Sequence, residues 1–252
     1  MEAYNEKLVI AGDILEYFKY QKGVIKKTDV EKAYLKELRE NGEIPPILKK
    51  KATEAEKIIK ARYEAMKRSQ REIRRIVNAN RTNFDMFMTL TYGENEQDIK
   101  KAYYEWKCFK QRLEDKYKQK FKYVGVIEFQ NRGAIHFHVI LFNAPYIPFW
   151  EIEKIWGLGR CDYKECFDID NLGAYLTYYL TKDLCPEDDR LRGQKIYFTS
   201  KGLQRAEEIT DKKQIQAILQ AQTKKPVYET EFYNDIRGYV KYQQFNNRRE
   251  EK

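Results

Sequence analysis

The sequence predicts an α+β protein, with a mainly antiparallel central sheet, helices packed on it, and an N-terminal helical and hairpin extension. Three observations predict it. Short β-rich segments alternate with stretches of helical period. The segments Tyr123–Gln130 and Ala134–Phe142 are separated by only a tight turn, which makes them an antiparallel hairpin. The 252 residues are 42% hydrophobic and 14% aromatic, with 20 tyrosines, which is too apolar for a disordered chain and sufficient for a real core.

From the N-terminus, residues 7–11 and 14–20 flank Gly12-Asp13 and read as a short hairpin, although 14–20 also fits a helix. Residues 29–40 read as a short helix ending at Asn41-Gly42, before Pro45-Pro46 breaks the chain. Residues 53–79 form a long amphipathic helix, because Ala55, Ile59, Tyr63, Met66, Ile73 and Val77 recur at steps of three to four, with Gln70 in one slot. Then come a strand at 84–92, a helix at 97–120, the hairpin, a short helix at 149–156, a strand at 160–166 and a helix at 171–182. Residues 195–199 look extended, 203–220 helical, and 227–232 and 238–243 extended. The helices are expected on one face of the sheet. The regions expected are 1–80, 81–202 and 203–252, the last with no assignable role.

The net charge of +9 is concentrated: Lys49 to Arg81 holds 12 Lys or Arg against 4 Asp or Glu. Lys67, Arg68, Arg71, Arg74 and Arg75 lie on a different side of the 53–79 helix from its apolar ridge. Such a stripe fits a polyanion, with DNA phosphates the usual one, or a merely solvated helix face. Four cysteines without a CxxC pair suit free thiols in a reducing compartment. There is no GxxxxGK[ST] phosphate loop. No signal-peptide layout and no apolar run of membrane-spanning length is present, so a cytoplasmic protein without a membrane partner is expected.

The hairpin carries the strongest chemical signal. Residues two apart on a strand share a face, so His136 and His138, the only histidines, point the same way. Ile135, Phe137, Val139 and Leu141 point to the other. A three-residue loop, Asn131-Arg132-Gly133, sets Gln130 opposite Ala134 and hence Glu128 opposite His136, on the histidine face; a four-residue loop would reverse that parity. One carboxylate and two imidazoles with open positions suit Mn²⁺ or Mg²⁺ at a phosphate, and the same donors also accept zinc. On the helix 171–182, Tyr175, Tyr179 and Lys182 fall within one arc, with Tyr178 beside it and Leu176 and Leu180 on a separate apolar ridge. A phenol can attack a phosphodiester; an aromatic helix face packed into a core has the same pattern. Phe87, Thr89 and Thr91 share a face, and the threonines either line the site floor or simply belong to a β-branched strand.

Taken together, these segments resemble a known family. His136-Phe137-His138 is similar to the His-hydrophobe-His signature of HUH endonucleases, and Phe87-Met88-Thr89-Leu90-Thr91-Tyr92 resembles their FTLT motif. Tyr175-Leu-Thr-Tyr178-Tyr179-Leu-Thr-Lys182 resembles the YxxKYxxK motif of the two-tyrosine replication initiators of small phages and some plasmids, except that Tyr178 stands where the family usually has Lys. The resemblance covers residues 84–200. It implies the HUH nuclease fold with its RRM-like core, and a rolling-circle replication initiator that nicks one strand through a tyrosine. Under it, Glu128, His136 and His138 hold the metal, Tyr179 makes the first cut with Lys182 near it, and Tyr175 serves a second transesterification. The partners implied are single-stranded or hairpin origin DNA and a host helicase and polymerase. A mobilisation relaxase, a transposase or a non-catalytic origin-binding protein would share the scaffold.

Overall fold

The computed structural model describes residues 3–25, 41, 53–182, 196–234 and 236–249, of which 25, 54, 55 and 180–182 are described by backbone alone. In chain order the elements are β1 (Ala3–Ala11), β2 (Ile14–Ile25), α1 (Glu54–Asn80), β3 (Met86–Thr91), α2 (Ile99–Tyr117), β4 (Lys122–Phe129), β5 (Ile135–Phe142), α3 (Phe149–Trp156), β6 (Cys161–Glu165), α4 (Leu172–Lys182), β7 (Tyr197–Thr199), β8 (Glu207–Ile209), α5 (Lys212–Ala221), β9 (Tyr228–Asn234) and β10 (Gly238–Asn246). The helix expected over 29–40 lies outside the described residues, as does Cys185; Cys108, Cys161 and Cys166 are free thiols. Among the described residues no helix is long and apolar enough to cross a membrane.

The chain divides into two compact units, one of Met1–Ile10, Ile14–Lys60 and Glu207–Lys252, the other of Ala11–Asp13 and Ala61–Ala206. Both are α+β. The first holds a five-stranded sheet in the order β8-β1-β2-β10-β9, so the two ends of the chain, expected as separate regions, share one sheet through the β2–β10 pairing. Leu8, Leu15, Tyr17 and Phe245 pack with Ile215 of α5 to form its core. Residues 203–220, expected as one helix, split. Glu207, Glu208 and Ile209 pair antiparallel with Ile10, Val9 and Leu8 of β1. The helix starts only where Asp211 caps it by accepting from the backbone N–H of Gln214. Tertiary pairing with a strand nearly two hundred residues away outweighs local helical preference there.

The second unit holds an antiparallel sheet in the order β6-β3-β5-β4-β7. Its helices cover both faces, not the one face expected. Met86, Met88, Leu90, Phe137, Val139 and Leu141 turn to one side, where Trp106 and Phe109 of α2 and Trp156 of α3 fill the core. Phe87, Val124, Val126, Ile140 and Phe142 turn to the other, against Ile73, Ile76 and Val77 of α1 and Leu172 and Leu176 of α4. Strands that are apolar on both sides at one end need two covers, whereas strict alternation would have needed one. The apolar ridge expected along all of α1 is buried only toward its C-terminus, from Gln70 onward, while Ile58, Ile59 and Tyr63 are exposed.

Candidate active site

The β4–β5 hairpin builds one wall of the site. Gln130 N–H donates to the Ala134 carbonyl at 2.8 Å, which closes the three-residue loop, with Gly133 at φ 88°. That left-handed angle is open to glycine at little cost. Arg132 pins the loop by donating to the Tyr92 carbonyl at 2.7 Å and to Gln130 Oε1 at 2.8 Å. The register follows from the loop: Glu128 stands opposite His136, and Val126 opposite His138. β3 flanks the other side, with Thr91 opposite His136 and Thr89 opposite His138.

Glu128, His136 and His138 converge as expected from that parity, and one ligand atom from each lies within 4.8 Å of the others. Among the described residues they are the group of this kind that could hold a metal ion. His138 Nε2 is hydrogen-bonded to Glu128, and its Nδ1 is 3.1 Å from Thr89 Oγ1. Thr89 therefore orients the ring so that Nε2 is the atom turned to the carboxylate, the usual support of a ligating histidine. His136 Nε2 is buried without a hydrogen-bond partner, an arrangement that costs about 1–3 kcal/mol unless something else engages it. Burial, helped by the neighbouring His138 and Arg132 and opposed by Glu128, pushes the His136 pKa down to about 4. At neutral pH its ring is uncharged and its lone pair is available for coordination. Donors across one bound Mg²⁺-sized ion stand about 4 Å apart, so the residues present fit a single divalent ion.

The opposite wall is α4. Asn171 begins it by accepting from the Ala174 N–H at 3.0 Å, and Asn78 of α1 accepts from the Gly173 N–H at 3.0 Å and donates to Asn171 Oδ1. Thr177, fully buried, is held by Arg74 Nε at 2.8 Å. Helix α1 thus sets both the start and the rotation of α4. The rotation turns Tyr175 and Tyr179 to the sheet, where their hydroxyls are 3.1 Å apart. The Tyr179 ring stacks on His138 with centroids 4.0 Å apart, and Phe87 packs against both tyrosines. Burial, reinforced by the bond to Tyr175, pushes the Tyr179 phenol up to about 12. Tyr178 is 61% exposed and points elsewhere. The side chain of Lys182 lies outside those described.

Of the basic residues on α1, Arg68 and Arg71 are exposed, Arg74 is engaged with Thr177, and Lys67 and Arg75 are half-buried, with the Lys67 ammonium over the Tyr63 ring at 5.3 Å. Two contributors were not legible beforehand. Asn78 acts on α4 from another helix. Lys164, opposite Phe87 in the β3–β6 register, holds its ammonium 4.3 Å from the centroid of the Tyr175 ring. Both depend on pairings between distant segments.

Fold and site together define an α+β protein with a candidate single-ion metal centre facing a tyrosine pair. Residues 85–184, from just before β3 to just after α4, match the replication-associated protein family of the ORF2 type. The match spans the hairpin and the tyrosine helix but under half of the chain. Comparison with curated proteins and with solved structures finds no match.

Proposed function

We propose that the chain is a rolling-circle replication initiator of the HUH, two-tyrosine type, a nicking and strand-transfer enzyme acting on single-stranded origin DNA. The observation that carries this reading is Tyr179 stacked on His138 at 4.0 Å, which sets a phenol beside three convergent ligand groups within a stretch similar to a replication-associated family. Glu128, His136 and His138 would hold Mn²⁺ or Mg²⁺, which polarises the scissile phosphate and offsets its charge when bound.

The chain's own residues do the rest. The Tyr179 oxygen attacks phosphorus, the bond to the 3′ oxygen breaks, and the phenolic proton ends on that oxygen, leaving a 3′ hydroxyl and a 5′-phosphotyrosine. Because burial holds the Tyr179 phenol neutral, its proton leaves with the attack rather than before it, and the Tyr175 hydroxyl at 3.1 Å is the nearest oxygen to relay it. The released 3′ hydroxyl primes a host polymerase, and a host helicase opens the duplex. Tyr175 repeats the chemistry at the regenerated origin.

A labelled single-stranded DNA with Mn²⁺ tests this through covalent adducts on a denaturing gel, located by peptide mapping. Tyr179→Phe removes only the attacking oxygen and should lose most first-cut adduct, while Tyr175→Phe should retain it. The reverse pattern would exchange the two roles. A native-gel shift with no adduct in the unmodified protein would make the chain a DNA-binding protein without this chemistry.

A further inference from the structure

We infer that Lys164 of β6 is the positioning residue for phosphate on the Tyr175 side of the site, so that the two tyrosines are served by two separate centres of positive charge. The inference rests on the nicking reading. The two phenols share a hydrogen bond but not their surroundings. Tyr179 lies against His138 and therefore against the candidate metal centre. Tyr175 is held between Phe87, whose ring meets it edge-on at 5.0 Å, and the Lys164 ammonium, 4.3 Å from its ring centroid. Lys164 reaches this place from the sheet, since it stands opposite Phe87 in the β3–β6 register and cross-strand partners share a face. Among the described residues no carboxylate pairs with it.

A lysine at the solvent edge of an aromatic wall, without a carboxylate, keeps its three donors for an anion. A ring quadrupole holds an ammonium only weakly, and a phosphate oxygen displaces it by a charge-assisted hydrogen bond. The phosphate that Tyr175 attacks is thereby held where the phenol oxygen reaches it. As that phosphorus–tyrosine bond forms, the bond to the 3′ oxygen breaks, the phenolic proton passes to the 3′ oxygen, and Lys164 stays protonated while offsetting charge on the non-bridging oxygens.

The test compares wild type, Lys164→Met and Lys164→Arg with Mn²⁺ and a labelled random-sequence single-stranded DNA pool, mapping adduct to each tyrosine. Methionine preserves packing on the Tyr175 ring without the charge; arginine preserves the charge. The ratio of Tyr175 to Tyr179 adduct should fall about tenfold in Lys164→Met, the lower side of what removing one charge-stabilising donor does, because this one is solvent-exposed. It should recover in Lys164→Arg. A general loss of folding lowers both adducts and leaves their ratio alone. An unchanged ratio in Lys164→Met, equal loss of ratio in both variants, or wild-type adduct on Tyr179 alone overturns the assignment of Lys164 while leaving nicking intact. Absence of any wild-type adduct overturns the nicking reading and this inference with it.

Discussion

Gly173→Ala tests whether the seating of α4 on α1 positions the tyrosines. A Cβ built on Gly173 would stand 2.5 Å from the Arg74 carbonyl oxygen, 2.7 Å from Arg74 Cα and 3.0 Å from its carbonyl carbon. All three are backbone atoms, so no side-chain rotation gives relief, and the first is about 0.9 Å short of ordinary van der Waals separation. The helices must part, yet Leu172 and Leu176 of α4 and Ile73 and Val77 of α1 are fully buried in the same cluster. Overpacking of this kind costs about 1–3 kcal/mol, and alanine's better helix propensity returns up to about 1. A net loss of about 1–2 kcal/mol lowers the midpoint of thermal unfolding by about 2–8 °C for a unit of this size. The functional effect is larger, because a shift approaching 1 Å in a reacting group costs about a hundredfold in rate. Calorimetry and a time course of tyrosine adduct on single-stranded DNA with Mn²⁺ measure the two effects. A Gly173→Ala protein that melts at or above the wild-type temperature and forms adduct at the wild-type rate would refute the claim that this close approach sets the tyrosines.

Other perturbations have equally definite outcomes. Replacing Glu128 with Gln, or His136 or His138 with Ala, should abolish Mn²⁺ binding measured by titration calorimetry and abolish adduct, while the circular dichroism spectrum is retained; normal binding in both histidine variants would remove the metal centre from this hairpin. Without metal, stability should fall with acidification between about pH 6.5 and pH 4. The unfolded chain binds a proton at His136 there and the folded chain, with its pKa pushed down to about 4, does not. His136→Gln should flatten that part of the profile, and an unchanged acid slope would place the proton uptake elsewhere. Changing Arg68, Arg71 and Arg75 together to Ala should reduce the slope of log affinity for DNA against log salt by up to about one for each phosphate no longer neutralised. An unaltered slope would mean that this side of α1 is only solvated. Arg74 is left in place because its guanidinium holds Thr177.

The sequence by itself determined what depends on short-range periodicity and turn chemistry. A two-residue side-chain period aligned His136 with His138, and a three-residue loop with glycine at its left-handed position brought Glu128 opposite His136, so the candidate metal group was legible from one continuous segment. A helical period likewise put Tyr175 and Tyr179 one turn apart on one face of α4, within hydrogen-bonding reach of each other. The tertiary structure alone decided what depends on pairings between segments far apart in the chain. These are the β2–β10 pairing that joins the two chain ends, the β1–β8 pairing that turned expected helix into strand, and the covering of both faces of the second sheet. The surroundings of the tyrosines belong to the same group, since Asn78 and Arg74 reach α4 from α1 and Lys164 reaches Tyr175 only through the β3–β6 register. Local spacing fixes which side chains share a face of one element. Which elements then meet is set by the burial of whole apolar faces, a collective property that no single stretch of sequence carries.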